Sequence, residues 1–303
     1  MRGGGLRLQR RLVLCSIVFE TMPGHVDPLR VALQIGLYIF FYIFFLTLFV
    51  ISGVGSLLGF FAGSALSVFI SAVATNILTL RIYEGRKLAD IGFHWNPISA
   101  HNLVWGLGGG VASALVVLAV PLVFRAATLQ PGGEDAHWRI FIWVVIMLFF
   151  GAAGEEVLFR GYGFQVLLRS AGPFATILPV GVLFGLLHWF NPHPSIVSVA
   201  NTAGFGILFG YAFLRSRDLW LAFGLHFGWN LTLPLFGAYV SGIKIGVTGY
   251  EMHWNAGTLW SGGEYGPEAS ILCSGVLVAL FAFVWKAPIR PQRNLLLDEP
   301  VEK

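Results

Sequence analysis

The chain has 303 residues, of which 56% are apolar and 11% charged, with a formal net charge of +4. Soluble domains carry about 25% charged residues, so an ordinary soluble protein is excluded. The small net charge and scattered cations also exclude a disordered or nucleic-acid-binding chain. The remaining class is an all-α, polytopic integral membrane protein whose first partner is lipid.

Residues 1–30 read as a cytoplasmic juxtamembrane segment, with Arg7, Arg10 and Arg11 ahead of Cys15. Crossing the hydrocarbon core takes roughly 20 apolar residues per helix. That ruler predicts about eight spans: Val31–Ser52, Ser56–Leu80, Leu103–Phe124, Ile140–Phe159, Phe174–Phe190, Ile196–Leu214, Leu219–Val240 and Ala269–Trp285. The first two are almost purely apolar and are expected to face lipid. Residues 125–139, with Pro131-Gly132-Gly133-Glu134-Asp135, form an exposed loop, and residues 241–268 a second, mildly acidic one. Residues 31–286 thus make one bundle, with its chemistry at about 140–235, and residues 287–303 a cytoplasmic polar tail.

Cation placement sets the orientation. With both termini in the cytoplasm, fifteen Lys and Arg lie inside, whereas Arg125, Arg139 and Lys244 lie outside. The glycine repeats Gly55-x3-Gly59-x3-Gly63, Gly106-x3-Gly110, Gly206-x3-Gly210 and Gly224-x3-Gly228 read as packing seams, since small residues let helix backbones approach in lipid. Cys273, within an apolar run, reads as a small hydrophobe. The two cysteines make no disulfide framework.

Three patterns concentrate polar groups in the spans, where burying them is costly. In Gly154-Glu155-Glu156-Val157-Leu158-Phe159-Arg160, the adjacent carboxylates point about 100° apart on a helix. Arg160 shares the face of Glu156 four residues earlier. Glu155 is left without that partner and suits a general base or acid. In Phe184-Gly185-Leu186-Leu187-His188, the imidazole follows Phe184 by one turn; His193, in the Pro-rich loop beyond, reads as ordinary. In His226-Phe227-Gly228-Trp229-Asn230, His226 and Asn230 share a face and can donate to a developing oxyanion. Each pattern also fits buried groups that only fix helix packing, which is the reading taken for Asn76 and Asn201. Together they are better explained as one shared site.

In this order, Glu155-Glu156-x3-Arg160, Phe184-x3-His188 and His226-x3-Asn230 resemble the CPBP intramembrane protease family. That family includes the Rce1-type CAAX prenyl endopeptidases and the Abi and bacteriocin self-immunity proteins. The resemblance covers roughly residues 140–235. It implies an endopeptidase in which Glu155 and His188 polarise a water and His226 and Asn230 stabilise the oxyanion. Glu156 and Arg160 would hold the fourth helix in register, and Phe184 would pack behind His188. The substrate is expected to be a membrane-associated peptide or protein.

No cofactor is expected; the alternative is zinc held by Glu155, His188 and His226. A non-catalytic immunity or peptide-binding protein is the rival reading, and a proton-coupled transporter a third. Short loops point to a bacterial inner (plasma) membrane. On straight spans, Glu155 falls toward the cytoplasmic end and His188 toward the outer end. Either the fifth span starts late or tilts, or the fourth helix runs on through Arg169. The catalytic cavity is expected to open to the cytoplasm.

Overall fold

The computed structural model describes residues 27–132 and 137–298. The stretch with Arg7, Arg10, Arg11 and Cys15, loop positions Gly133, Glu134 and Asp135, and the last residues Glu302 and Lys303 lie outside them. Apolar runs of span length become helices: α1 Pro28–Ile51, the short α2 Val54–Leu58, α3 Phe60–Tyr83, α4 Pro97–Val123, α5 Trp138–Arg160, α6 Tyr162–Ala171, α7 Pro173–Leu187, α8 Ile196–Ser216 and α9 Trp220–Leu235. Beyond them come α10 Thr258–Ser261, α11 Ile271–Lys286 and α12 Leu295–Asp298. Among the described residues, six helices are long and apolar enough to cross a membrane, counting α5 and α6 as one rod. The other two expected spans are the 16-residue helices α9 and α11.

Local chemistry sets the helix starts. Asp27 caps α1 by accepting from the Leu29 N–H, and Asn96 caps α4 by accepting from Ile98 and Ser99. Each helix has Pro in its first turn, where its missing N–H costs nothing. α1 exposes most of its length and buries only Gln34 and Tyr38. α3 departs from the lipid-facing expectation: it packs between α1 and α5 and buries Ala72, Thr75, Asn76 and Leu80. The expected continuous span from Ser56 is also broken, because Gly59 at φ +79° turns the chain between α2 and α3. Gly59 is therefore a hinge glycine, not a seam residue.

The other glycines do form seams. A Cβ at Gly106 on α4 would lie 3.0 Å from the Gly224 Cα on α9, and one at Gly206 on α8 would lie 2.9 Å from the Gly181 Cα on α7. These approaches seat α9, which carries His226, on α4, and α7, which carries Phe184, on α8.

The α5–α6 rod bends at Gly161, where ψ is −148°. The break frees the Tyr162 N–H, and Asn76 Oδ1 accepts it at 2.7 Å. Asn76 Nδ2 also donates to the Val157 carbonyl at 3.1 Å and to the Tyr38 hydroxyl at 3.0 Å. Asn201 ties α8 to the start of α11 by donating to the Glu268 and Ser270 carbonyls. Both asparagines are packing residues, as expected.

Both expected loops are more ordered than their composition suggests. β1 Ala127–Pro131 pairs antiparallel with β2 Tyr250–Trp254, in the register Ala127↔Trp254 to Pro131↔Tyr250. Ile245 and Val247 fold back to pack on Val144 and Leu148 of α5. The polar tail is docked, not free: Gln292, Asn294 and Leu296 are buried against the opposite end of the bundle.

The two ends differ in charge. Among the described residues, Arg30, Arg81, Arg86, Lys87, Arg169, Arg215, Arg217, Lys286, Arg290 and Arg293 lie at the end where α1 starts and α11 finishes. Only Arg125, Arg139 and Lys244 lie at the other end.

Candidate active site

Helix continuity decides the relative depth of the two key groups. Glu155 lies sixteen residues before Ala171, the end of the α5–α6 rod, which is about 24 Å of rise. His188 lies fifteen residues after Pro173, at the C-cap of antiparallel α7, or about 22 Å. Both therefore stand at the same height above the turn at Gly172. The rod running past Arg169 removes the mismatch that straight, equal spans imply.

Glu155, His188 and His226 are brought together. Glu155 Oε2 lies 3.9 Å from His188 Nε2 and 3.8 Å from His226 Nε2. That oxygen is buried and has no hydrogen-bond partner among the described residues. Each imidazole is tethered through its other nitrogen. His188 Nδ1 lies 2.7 Å from the Phe184 carbonyl, which only accepts, so this nitrogen carries the proton. His226 Nδ1 lies 2.9 Å from Glu156 Oε1 and donates to that carboxylate. When the rings are neutral, both Nε2 lone pairs face Glu155. Neither gap is a direct hydrogen bond, and their separations suit groups that share a water.

Glu156 and Arg160 pair as the helical spacing predicts, at 3.3 Å, with 1% and 0% of their side chains exposed. Arg160 also donates to the Gly206 carbonyl on α8 at 2.7 Å, and its guanidinium lies over the Phe159, Phe184 and Phe209 rings. The i,i+4 rule does not give the contact from Glu156 to His226, which lies 70 positions away. Phe184 packs on His188 with ring centroids 4.6 Å apart and meets His226 edge-on at 6.1 Å.

Glu155, Phe184, His188 and His226 line a cavity of about 490 Å³, as does Asn230. Its lining comes from mid-bundle and from the cation-poor end, including Phe60, Asn191 and Ser241. None comes from the connections at the cation-rich end. The cavity therefore reaches the end opposite the clustered cations. The loop side chains that dip inward, and the tail that closes the other end, are what straight spans conceal.

Sequence reasoning missed two wall residues. Phe209 stacks on His226, with centroids 5.0 Å and planes 15° apart; its signal is the apolar i,i+4 pair with Phe205. Glu268 precedes α11 and is buried in the cavity wall, taking the Trp229 Nε1–H at 3.2 Å and both the N–H and hydroxyl of Ser241. Burial pushes its carboxyl up, and these donors oppose that rise. It lies outside all three motifs, so only its position just ahead of an apolar run marks it.

Zinc needs ligand atoms converging at about 2.0–2.2 Å from one centre. Among the described residues, no group of three or more His, Cys, Asp or Glu side chains is arranged to hold a metal ion.

Comparison with known proteins bears on the same residues. Residues 136–232 match the family model described as Type II CAAX prenyl endopeptidase Rce1-like. Over that stretch the chain is similar to the Rce1-like family. That stretch contains all three motifs, so the resemblance carried by their spacing holds. At family level it points to intramembrane protease activity in an integral membrane protein. A further relative is the uncharacterized protein YyaK of Bacillus subtilis strain 168, 28% identical over 137 residues. The match covers 42% of this chain and 46% of YyaK, so the chain spans about half the length of that curated relative.

Proposed function

We infer that this protein is an intramembrane endopeptidase that hydrolyses a peptide bond of a membrane-associated protein or peptide without a metal. The observation that carries this reading is the convergence of two tethered imidazoles on the buried, unpartnered Oε2 of Glu155, inside a cavity. A water held between Glu155 and His188 gives a proton to the Glu155 carboxylate as its oxygen attacks the scissile carbonyl carbon. Glu155 then returns that proton to the leaving amine, and the new carboxyl terminus is released. This general-base role suits a carboxylate within one water of its target.

Asn230 donates to the oxyanion through its amide. His226 does so when Nε2 carries a proton, a state whose charge Glu156 balances through Nδ1. Arg160 balances Glu156 in turn, so this second carboxylate supports the donor and leaves Glu155 as the base. The step written here uses Glu155 and His188 without zinc, and chelation tests that choice. The cation asymmetry supports a bacterial inner-membrane setting with both described ends of the chain toward the cytoplasm.

The test is comparative terminal proteomics of cells carrying the unaltered protein or Glu155→Gln. New membrane-protein C-termini that vanish in the variant, and persist when purified enzyme is treated with chelator, support this reading. Identical termini with full biological activity in both strains would instead favour a binding or immunity role. Loss of cleavage on chelation, restored by zinc, would overturn the metal-free step.

A further inference from the structure

The cavity's position relative to charge has a consequence for the substrate. It rests on the site reading above but not on the details of the chemistry. The end that carries ten cations among the described residues faces the cytoplasm by the positive-inside rule. That end is closed. Asp218 sits there fully buried, accepting from Asn102 at 2.8 Å and from Gln292 at 2.5 Å. Asn294 bonds to Gln165 at 3.0 Å, and the tail lies across the helix ends. Above this layer, Phe164, Phe213 and Leu219 pack together, and Arg160 is tied to Gly206. Among the described residues, none from the cytoplasmic connections reaches the cavity.

At the cation-poor end the exposed Phe60, Phe190 and Pro192 belong to the lining, which puts the cavity's mouth there. His188 stands one short turn from Asn191 and Pro192, which line the mouth together with Val240 and Ser241. Among the described residues no Lys or Arg lines the cavity, whose walls are dominated by Phe and aliphatic side chains.

We propose that the site is served from the extracytoplasmic face: its substrate is an apolar, membrane-embedded peptide segment whose scissile bond is presented in the outer half of the bilayer. A lipid-modified C-terminus presented from the cytoplasm would meet the sealed end. The protein therefore processes exported or membrane-inserted peptides, and its water enters from outside the cell.

Sided labelling of the full chain in bacterial cells tests this. In a Cys15→Ser background, with Cys273 buried, Asn191→Cys reports the mouth and the exposed Arg293→Cys reports the sealed end. A membrane-impermeant maleimide is expected to label Asn191→Cys in intact cells, and Arg293→Cys only after permeabilisation. His193→Cys, exposed two residues further on, replaces Asn191→Cys should that variant not accumulate. The reverse pattern, or labelling of both or neither in intact cells, overturns the proposal. Outside labelling of the mouth without any Glu155-dependent cleavage would sink the peptidase reading and leave the facing intact. Cleavage with inside labelling of the mouth would do the opposite.

Discussion

Two buried polar clusters occupy this bundle, and their hydrogen bonding differs. At the cation-rich end, Asp218 receives Asn102, Gln292 and the Trp220 N–H, while Gln165 is bonded to Ile91, Arg160 and Asn294. Nothing in that cluster is left unpaired among the described residues. Around the cavity, Glu155 Oε2 on its wall and, behind that wall, Glu156 Oε2 and Arg160 Nε are buried without hydrogen-bond partners among the described residues. An unpaired buried polar atom costs about 1–3 kcal/mol. A closed network therefore serves the fold, whereas an open one beside a cavity keeps places for water and substrate.

The largest effect expected of this contrast is on turnover. Glu155→Gln removes the base and should lower kcat about 10³–10⁴-fold while substrate still binds. Reconstituted enzyme with a quenched peptide reads both quantities, and a variant retaining a tenth of the rate would dissolve the distinction between the clusters.

Next comes the buried pair. Glu156→Gln leaves Arg160 uncompensated and should cost about 3–5 kcal/mol of stability, seen as a lower midpoint of unfolding in detergent. Were stability unchanged and only turnover lost, Glu156 would belong to the open cluster and not to its scaffold. Asn230 sharpens the line from the other side. It makes no side-chain hydrogen bond among the described residues yet lines the cavity. Asn230→Ala should lower kcat about 10²–10³-fold with KM and stability little changed; an unfolding shift as large as that of Glu156→Gln would assign it to packing.

The smallest effect belongs to the closed cluster. Gln292→Ala removes one donor from Asp218 and should cost about 1 kcal/mol without altering turnover. Burial pushes the Asp218 carboxyl up, and the bonds from Asn102, Gln292 and Ser216 oppose the rise. Its folded value lies above the unfolded one, so its ionisation costs stability as pH rises. Without Gln292 that cost increases, and the variant's deficit should grow as pH climbs above about 4. Melting curves across that range check the slope, and a constant deficit would mean that Asp218 does not titrate there.

What the sequence made legible follows the range of each interaction. Apolar length revealed the helices, and i,i+4 spacing revealed the Glu156–Arg160 pair, because both are local. The pairing of Glu156 with His226 was hidden because it joins helices distant in sequence. Gly161 gave no sign of a bend because the cap that makes it tolerable, Asn76, sits on α3. Gln292 and Asn294 looked like a solvated tail since polar residues without periodicity read that way, whether docked or free. The rod through Ala171 was one of two alternatives the spans left open, and the loop that folds back onto α5 was hidden because its contacts join distant segments. Glu155, His188, His226 and Asn230 were nonetheless identifiable, since ionisable and amide groups stand out where almost everything else is apolar.

The central claim is that Glu155 activates a water and does not itself attack the peptide. A single-turnover reaction in ¹⁸O-enriched water, with enzyme in excess over a peptide it cleaves, tests this most directly. The account predicts one heavy oxygen in the new carboxyl terminus from the first turnover and none on Glu155. An unlabelled product, with the heavy oxygen recovered in the Glu155 carboxyl, would contradict it.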